Sequence, residues 1–174
     1  MIEIIPEWAL TPADEAQIAD LLRRSFDTNF GARSYFQQRH HLRLVTRQDG
    51  KIIGHMALLF RAIRLGSQLV DIAGLADVCT DADHRGKGVA QILLTSAIKE
   101  SHASQADFFL LFGNANIYSG NGFQPFSNPV TYLDLSGART GEVKIEAAEQ
   151  LMVLPLRDTL WPPIAPVDLL GTLF

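Results

Sequence analysis

A predicted strand and a predicted amphipathic helix are joined by the sequence Arg85-Gly86-Lys87-Gly88-Val89-Ala90. The first turn of a helix carries backbone N–H groups without partners and the positive end of the helix dipole, so it attracts anions. Gly86 and Gly88 remove side chains that would hold an anion away from the backbone. Arg85 and Lys87 add positive charge. The segment therefore predicts a binding site for a phosphate or pyrophosphate group.

Two common phosphate-binding motifs do not match this loop. A dinucleotide-binding fingerprint requires a third glycine after a parallel strand, whereas Val89 and Ala90 follow here and the preceding strands are predicted to be antiparallel. A Walker loop requires four residues between its glycines and then Lys-Ser or Lys-Thr, which the segment lacks. Taken alone, the six residues are equally compatible with a flexible helix start that binds no ligand.

Hydrophobic spacing on either side of the loop predicts the remaining elements. Strands are predicted at residues 2–5, 42–47, 52–65, 69–80, 106–112, 123–125, 131–135 and 151–156. Helices are predicted at 13–26 and 88–103, with a short helix or turn at 34–40 and an irregular, surface-lying tail at 161–174. An antiparallel meander over 42–80, followed by a helix and an almost continuous apolar strand, predicts an α+β (mixed α/β) domain with a mixed sheet.

The composition is that of an ordinary folded protein. The 174 residues include 15 basic and 19 acidic side chains, a net charge of −4, and 47% are hydrophobic. These values predict a single domain over 1–174, with 157–174 as an extended C-terminal tail, and they exclude intrinsic disorder. The longest apolar runs have about five residues where a membrane span needs about 20. Clusters of Lys and Arg are missing, so we expect neither a membrane nor a nucleic-acid partner.

The cysteine content and the N-terminus bear on the cellular compartment. Cys79 is the single cysteine, so an intramolecular disulfide is excluded, and this suits a reducing compartment. The N-terminus lacks the basic and apolar regions of a signal peptide. We therefore expect a cytoplasmic protein. Because the apolar residues 167–174 can dock on a second copy as readily as on the same chain, a homodimer is an alternative to a monomer.

Two motifs in the order and spacing of one family lie on either side of the strand at 106–112. Residues 83–90, after the strand end at 77–80, resemble motif A of the GNAT acyl-CoA-dependent N-acyltransferases, whose pattern Gln/Arg-x-x-Gly-x-Gly/Ala is met by Arg85, Gly88 and Ala90. About 30 residues later, 118–123 resembles the end of motif B, a tyrosine four residues before Gly-Phe. The resemblance covers roughly residues 18–135.

The resemblance implies the GNAT fold, a twisted, mixed and mostly antiparallel sheet that is flanked by helices and splayed between the strands at 78 and 108. It implies acetyl-CoA as co-substrate, inserted at the splay, and no metal. The pantetheine arm would contact backbone groups of Val78, Cys79 and Thr80. The pyrophosphate would lie on the N–H groups of Arg85, Gly86, Lys87, Gly88, Val89 and Ala90. Asn114, with Asn116, would do part of the work of an asparagine that other members place before the tyrosine.

The implied reaction is direct transfer of the acetyl group to a primary amine of a small molecule. Tyr118 matches the position that protonates the leaving thiolate, a role that suits a phenol of pKa about 10. Since an amine is mostly protonated at neutral pH, a base or a water chain must take its proton. Asp77 is the first candidate for the base and Asp71 the second. The alternative for Asp77 is a carboxylate that caps a loop or binds a cationic substrate.

Residues 50–80 also resemble the corresponding part of the aminoglycoside 2'-N-acetyltransferases and the rhizobial nodulation N-acyltransferases. This likeness implies an amino-sugar acceptor held by Asp168 and the carboxylate of Phe174. Ala76 stands where the aminoglycoside enzymes have a glutamate, which argues against aminoglycosides in particular. Two alternatives to acetyl transfer are a non-catalytic acyl-CoA-binding regulatory domain and the transfer of longer acyl chains to a sugar amine.

The histidines and the cysteine are interpreted as structural residues, because the histidines lack the spacing of a zinc-binding helix. His40 and His41 are predicted on a solvated helix face, His55 in a core or cleft, and His84 in a solvated loop. For Cys79 a buried strand position is favoured over a nucleophile that carries an acyl group.

Overall fold

A computed structural model describes residues 2–113 and 116–174. The tertiary contacts divide the chain into two compact units. The first unit contains the residues up to Leu59 together with Leu75–Lys99, and the second contains Phe60–Gly74 and Glu100–Phe174. The division runs through two strands and one helix, which therefore contribute to both units. The single domain over 1–174 stays a prediction.

The first unit combines helices with an antiparallel sheet. Its elements are β1 (Ile2–Pro6), α1 (Pro12–Ser25), β2 (Leu42–Gln48), the first part of β3 (Lys51–Leu65), the end of β4 (Gln68–Thr80) and most of α2 (Val89–Ala103). β1 pairs antiparallel with β2, and β2 pairs antiparallel with β3. α1 begins after Thr11 because the Thr11 hydroxyl accepts the N–H of Asp14 at 3.1 Å and the Asp14 carboxylate accepts the N–H of Thr11 at 3.1 Å.

The core of the first unit lies against α1. Ile18, Leu21 and Leu22 are fully buried there and pack with apolar residues of β2 and β3. α2 approaches β3 closely at Gly54, where a Cβ atom would overlap Cγ1 of Val89. Glycine is therefore the residue that lets the start of α2 lie directly on the sheet.

The second unit is a mixed sheet of eight strands. Besides the remaining parts of β3 and β4, its elements are β5 (Phe108–Phe112), α3 (Asn116–Ser119), β6 (Gln124–Phe126), β7 (Pro129–Leu133), β8 (Val143–Ala147), β9 (Leu151–Pro155) and β10 (Val167–Asp168). The strand order is β6-β9-β5-β4-β3-β10-β7-β8. β10 is parallel to β7, whereas β10 is antiparallel to β3, β5 and β6 are antiparallel to β9, and β7 is antiparallel to β8.

The C-terminal tail is part of the core of the second unit. The prediction of a surface-lying segment is wrong, because Trp161, Val167 and Leu169 are each at most 5% exposed. The indole N–H of Trp161 donates to Oδ1 of Asn128 at 2.9 Å, and the Asn128 amide donates to the carbonyls of Pro162 and Ala165. One buried asparagine therefore holds the irregular backbone that leads into β10.

The mixed α/β fold is confirmed, and most predicted elements are found within three residues of their observed ends. The short helix or turn predicted at 34–40 contains no helix and is a series of bends. β8 was not predicted, although Val143, Ile145 and Ala147 alternate with polar residues as in a strand. Val143 and Ile145 are about 70% exposed on this edge strand. Among the described residues, no helix is both long enough and apolar enough to cross a membrane.

Replacing Gly54 with alanine places a methyl group against Val89. We expect a loss of about 1–3 kcal/mol in the free energy of unfolding, because overpacking forces α2 away from β3. Urea unfolding measures this loss. The double variant Gly54→Ala/Val89→Ala removes the overlap with Val89 and leaves only the 2.9 Å approach to Cδ1 of Leu93, so it should be more stable than the sum of the two single losses predicts. Strictly additive losses would contradict the close approach of α2 to β3.

Candidate functional site

The predicted phosphate loop connects β4 to α2 within the first unit. A single helical turn at Ala82–His84 follows the strand, and its N-terminus is capped by the Asp81 carboxylate, which accepts the N–H of Asp83 at 3.1 Å. Gly86 and Gly88 have φ angles of 73° and 78°, in the left-handed region that favours glycine. A Cβ atom at either glycine would meet no atom within 4 Å. The loop therefore needs glycine for its backbone conformation, and the space beside it is open.

The charged side chains of the loop divide into exposed and paired groups. Arg85 and Lys87 are exposed, and Nε of Arg85 donates to the carbonyl of Thr80 at 3.3 Å. Asp81 accepts from Nη1 of Arg24 in α1 at 2.8 Å and lies 3.2 Å from Nδ1 of His84. The hydrogen bond from Arg24, and then that of His84, lowers the pKa of Asp81 to about 2. His84 is thus tied to the loop rather than fully solvated as predicted.

The residues predicted to contact pantetheine form the end of β4. Val78 and Thr80 are half-buried, and Cys79 is 7% exposed. Burial raises the pKa of Cys79 to about 12, so its thiol stays protonated at neutral pH. The interpretation of Cys79 as a buried strand residue is confirmed.

Asp77 precedes these residues and interrupts the extended strand. Its φ angle is 50°, an uncommon conformation for a residue other than glycine. Its Oδ2 atom lies 2.8 Å from Nε2 of His40, and the two side chains are 11% and 6% exposed. Asp77, the candidate base, therefore forms a nearly buried pair with His40.

His40 was missed as a functional residue by the sequence analysis. The prediction of a solvated helix face is wrong for His40, which is 8% exposed, because residues 34–41 are not helical and turn its ring inward. His41 is exposed, as predicted. The sequence holds no local signal for this difference, since the partner of His40 lies 37 residues away.

A second buried histidine holds the backbone of Asp77. Nδ1 of His55 lies 2.8 Å from the carbonyl oxygen of Asp77, and Nε2 lies 3.3 Å from Nη1 of Arg43. Because a guanidinium can only donate, Nε2 of His55 accepts and Nδ1 carries the proton that is donated to Asp77. Burial, assisted by the charge of Arg43, lowers the pKa of His55 to about 3. The predicted core or cleft position of His55 is confirmed.

Arg43 is the buried cation behind this histidine. Its side chain is fully buried in β2, where it donates to both carboxylate oxygens of Glu7 (2.7 and 3.2 Å) and to the carbonyl of Ser34 (2.6 Å). Glu7 also accepts from Arg39, at 2.8 Å. A hydrogen-bonded chain thus runs from the segment after β1 to the carbonyl of Asp77.

Tyr118 lies in the second unit, at the single-turn helix α3. It is 8% exposed, its ring is edge-on to Phe123 with centroids 6.1 Å apart, and its carbonyl accepts the N–H of Phe123 at 3.2 Å. A Cβ atom at Gly113 would lie 3.3 Å from the ring, so Gly113 leaves room for it. Burial raises the pKa of Tyr118, which keeps the phenol protonated at neutral pH.

The remaining candidates take other positions. Asp71 is exposed, and its carbonyl accepts the N–H of Asp107 at 2.8 Å. Asp168 is used locally, since its carboxylate accepts the N–H of Leu170 at 2.9 Å. The ring of Phe174 packs on Phe112, with centroids 5.3 Å apart. Asn114 lies outside the described residues.

Two clefts lie within the described part of the chain, one in each unit. A cleft of about 670 Å³ in the first unit is lined by α1, the start of β3 and the loop residues Asp81 and His84. A cleft of about 460 Å³ in the second unit combines an aromatic wall with the carboxylates of Glu146 and Glu149.

Residues 9–126 match the family model of the acetyltransferase (GNAT) domain. Because this match covers more than half of the chain, the protein belongs to the GNAT acetyltransferase family, and it is an acyltransferase. The predicted family is thereby confirmed. The chain is 28% identical over 118 residues to a protein of Escherichia coli K12 named uncharacterized N-acetyltransferase YhbS, covering 65% of this chain and 70% of that protein.

Solved structures show the same fold. The Escherichia coli YhbS structure in complex with CoA has a TM-score of 0.70 and 22% identity over 97% of this chain and 88% of that one. A GNAT acetyltransferase of Brucella melitensis in complex with acetyl-CoA has a TM-score of 0.60 and 18% identity over 96% and 94%. The Escherichia coli ribosomal-protein-S18-alanine N-acetyltransferase has a TM-score of 0.58 and 18% identity over 93% and 100%.

Proposed function

We propose that this protein transfers the acetyl group of acetyl-CoA directly to a primary amine of a small molecule. The observation that carries the proposal is the loop at the start of α2, where two left-handed glycines and open space adjoin the end of β4. CoA and acetyl-CoA bound by proteins of the same fold support this co-substrate. An amino sugar is one acceptor class that suits the proposal.

The loop would bind the pyrophosphate of acetyl-CoA. The N–H groups at the first turn of α2 have no helical partners, and the helix dipole favours an anion there. Arg85 and Lys87 are exposed beside these groups and add charge. The pantetheine arm then lies along the backbone of Val78, Cys79 and Thr80, where a backbone N–H polarises the thioester carbonyl.

The transfer step needs one proton removed and one supplied. The amine nitrogen attacks the thioester carbon, a C–N bond forms, and the tetrahedral intermediate collapses with cleavage of the C–S bond. The electron pair leaves on sulfur, and Tyr118 donates its phenolic proton to the thiolate. The raised pKa of the buried Tyr118 supports this role, because the proton is present at neutral pH.

Asp77 would accept the proton of the amine. Its side chain is 11% exposed, and its carboxylate is held by His40. Asp77 comes directly before the residues proposed to contact pantetheine. Asp71, the second candidate, is exposed, and its backbone N–H donates to the Asp107 carboxylate at 3.4 Å. Burial and fixed geometry favour Asp77, since a base must be held within hydrogen-bond reach of the amine.

Acetyl-CoA titration by calorimetry, followed by a free-thiol assay over amines that include amino sugars, polyamines and amino acids, tests the proposed reaction. We expect binding and thiol release with one class of amine. Binding without release on any amine would favour a regulatory domain or a longer acyl donor. Lack of binding would overturn the proposal.

Gly88→Glu should weaken acetyl-CoA binding about 10–100-fold, because a carboxylate replaces open space beside the anion and the left-handed backbone is strained. Calorimetry with acetyl-CoA measures the change. Gly137→Glu is the matched control, since Gly137 has a φ angle of 74° and equally open surroundings. Equal acetyl-CoA affinities of Gly88→Glu and Gly137→Glu would show that this loop does not bind the pyrophosphate.

Tyr118→Phe should lower kcat about 100-fold or more, within the range of general-acid catalysis, while the Kd for acetyl-CoA stays within about twofold. Steady-state thiol release and calorimetry separate the two effects. Tyr132→Phe is the control, because Tyr132 lies in the same unit and its hydroxyl donates to Glu146. An unchanged kcat in Tyr118→Phe would assign the proton donor to another group.

A further inference from the structure

His40 and Asp77 are two ionisable side chains that pair in a nearly buried position. The 2.8 Å contact links Nε2 of His40 to Oδ2 of Asp77, and His40 is more than nine-tenths buried. The other ring nitrogen, Nδ1, is buried and has no hydrogen-bond partner. A buried polar atom without a partner is rare in proteins and constrains where the proton of the pair can be.

The orphaned Nδ1 atom fixes the protonation of the pair. If His40 were an imidazolium, or if Asp77 held the proton and donated it to Nε2, then Nδ1 would carry a buried N–H without an acceptor. Orphaned buried N–H groups are the rarest case. The remaining arrangement places the proton of a neutral His40 on Nε2, from which it is donated to an ionised Asp77. Oδ2 is thereby occupied.

The backbone of Asp77 is fixed as well as its carboxylate. His55 donates to its carbonyl at 2.8 Å while its φ angle is held at 50°. Oδ1 receives no hydrogen bond that the described part of the chain records, which leaves this oxygen to meet an incoming group. His55 therefore holds the backbone of Asp77 and His40 holds its carboxylate, and together the two contacts orient Oδ1.

The charged side chains around the His40–Asp77 pair form salt bridges with one another. Arg43 of β2 pairs with Glu7, and Arg39, the neighbour of His40, pairs with Glu7 at 2.8 Å and Glu15 at 2.6 Å. His55 of β3 is neutral. Asp77 of β4 therefore supplies the unbalanced charge that faces His40.

We propose that His40 is a positioning residue for the deprotonation of the acceptor amine: its Nε2–H holds Oδ2 of Asp77 and turns Oδ1 toward the amine. This inference rests on the proposed function of Asp77 as base. In the step, an N–H bond of the amine breaks and an O–H bond forms on Oδ1, while the nitrogen lone pair forms the C–N bond. His40 keeps its proton throughout and does not touch the substrate.

The position of the proton is tested without any activity assay. Long-range ¹⁵N–¹H spectra of protein with ¹⁵N-labelled histidine, with His40→Gln used to assign the signals, report which ring nitrogen carries hydrogen. We expect a neutral ring with the proton on Nε2 at pH 7. A proton on Nδ1, in either the neutral or the charged ring, would overturn the proposal even if the protein proves to be an acetyltransferase.

The positioning role is tested by a matched pair of substitutions. A glutamine amide reaches the place of Nε2 and can donate to Oδ2, whereas an asparagine amide is shorter and cannot. We expect His40→Asn to lower kcat about 10–100-fold and to move the acid limb of the kcat/KM profile to higher pH, because a hydrogen bond to the charged carboxylate is lost. His40→Gln should stay within about threefold of the unchanged protein in both respects.

Controls separate positioning from folding and from failure of the proposed function. The acetyl-CoA Kd should agree between His40→Asn and His40→Gln, urea unfolding should show that both variants are folded under the assay conditions, and His102→Gln, at an exposed site in α2, should change nothing. Equal losses in the Asn and Gln variants, or no loss in either while Asp77→Asn is inactive, would overturn the role of His40. Full activity of Asp77→Asn would remove the base and this inference with it, while acetyl-CoA binding and thiol release stand.

Discussion

The left-handed backbone of Asp77 is the constraint on which the first unit's site depends. A residue other than glycine in this region costs about 1–3 kcal/mol unless its surroundings hold it there. The carbonyl of Asp77 receives the Nδ1–H of His55, and its carboxylate is paired with His40. Val78, Cys79 and the loop to α2 follow directly, so the direction in which the end of β4 presents its backbone is set at this one residue.

Burial decides which groups near the predicted chemistry carry charge. It lowers the pKa of His55 to about 3, raises that of Cys79 to about 12 and raises that of Tyr118, so all three side chains are neutral at pH 7. The exposed Arg85 and Lys87 keep their charges beside the glycines. Within the first unit, the neutral Cys79 lies in the proposed pantetheine segment, and the charged Arg85 and Lys87 lie beside the proposed pyrophosphate.

The sequence predicts the elements whose signals are local, and it does not predict contacts that depend on distant segments. The lengths of β3 and β4 and the glycine loop before α2 depend on neighbouring residues, and each was found near its expected bounds. His40 appeared solvated because its burial arises only when an irregular loop lies against Asp77. The tail appeared irregular because a strand of two residues such as β10 exists only through its pairing with β3 and β7.

The role of the buried Arg43 is to determine which ring nitrogen of His55 carries the proton. Removing an ion pair such as Arg43–Glu7 from water carries a desolvation penalty that often exceeds the gain from pairing, and apolar residues of similar volume are often no less stable. Stability alone therefore gives no reason for a fully buried guanidinium in β2. Its Nη1 donates to Nε2 of His55, so the ring proton is on Nδ1. The Nδ1–H then donates a hydrogen bond to the carbonyl of Asp77. An apolar residue at this position would leave the tautomer of His55 free, and the conformation of Asp77 would lose the donor that holds it.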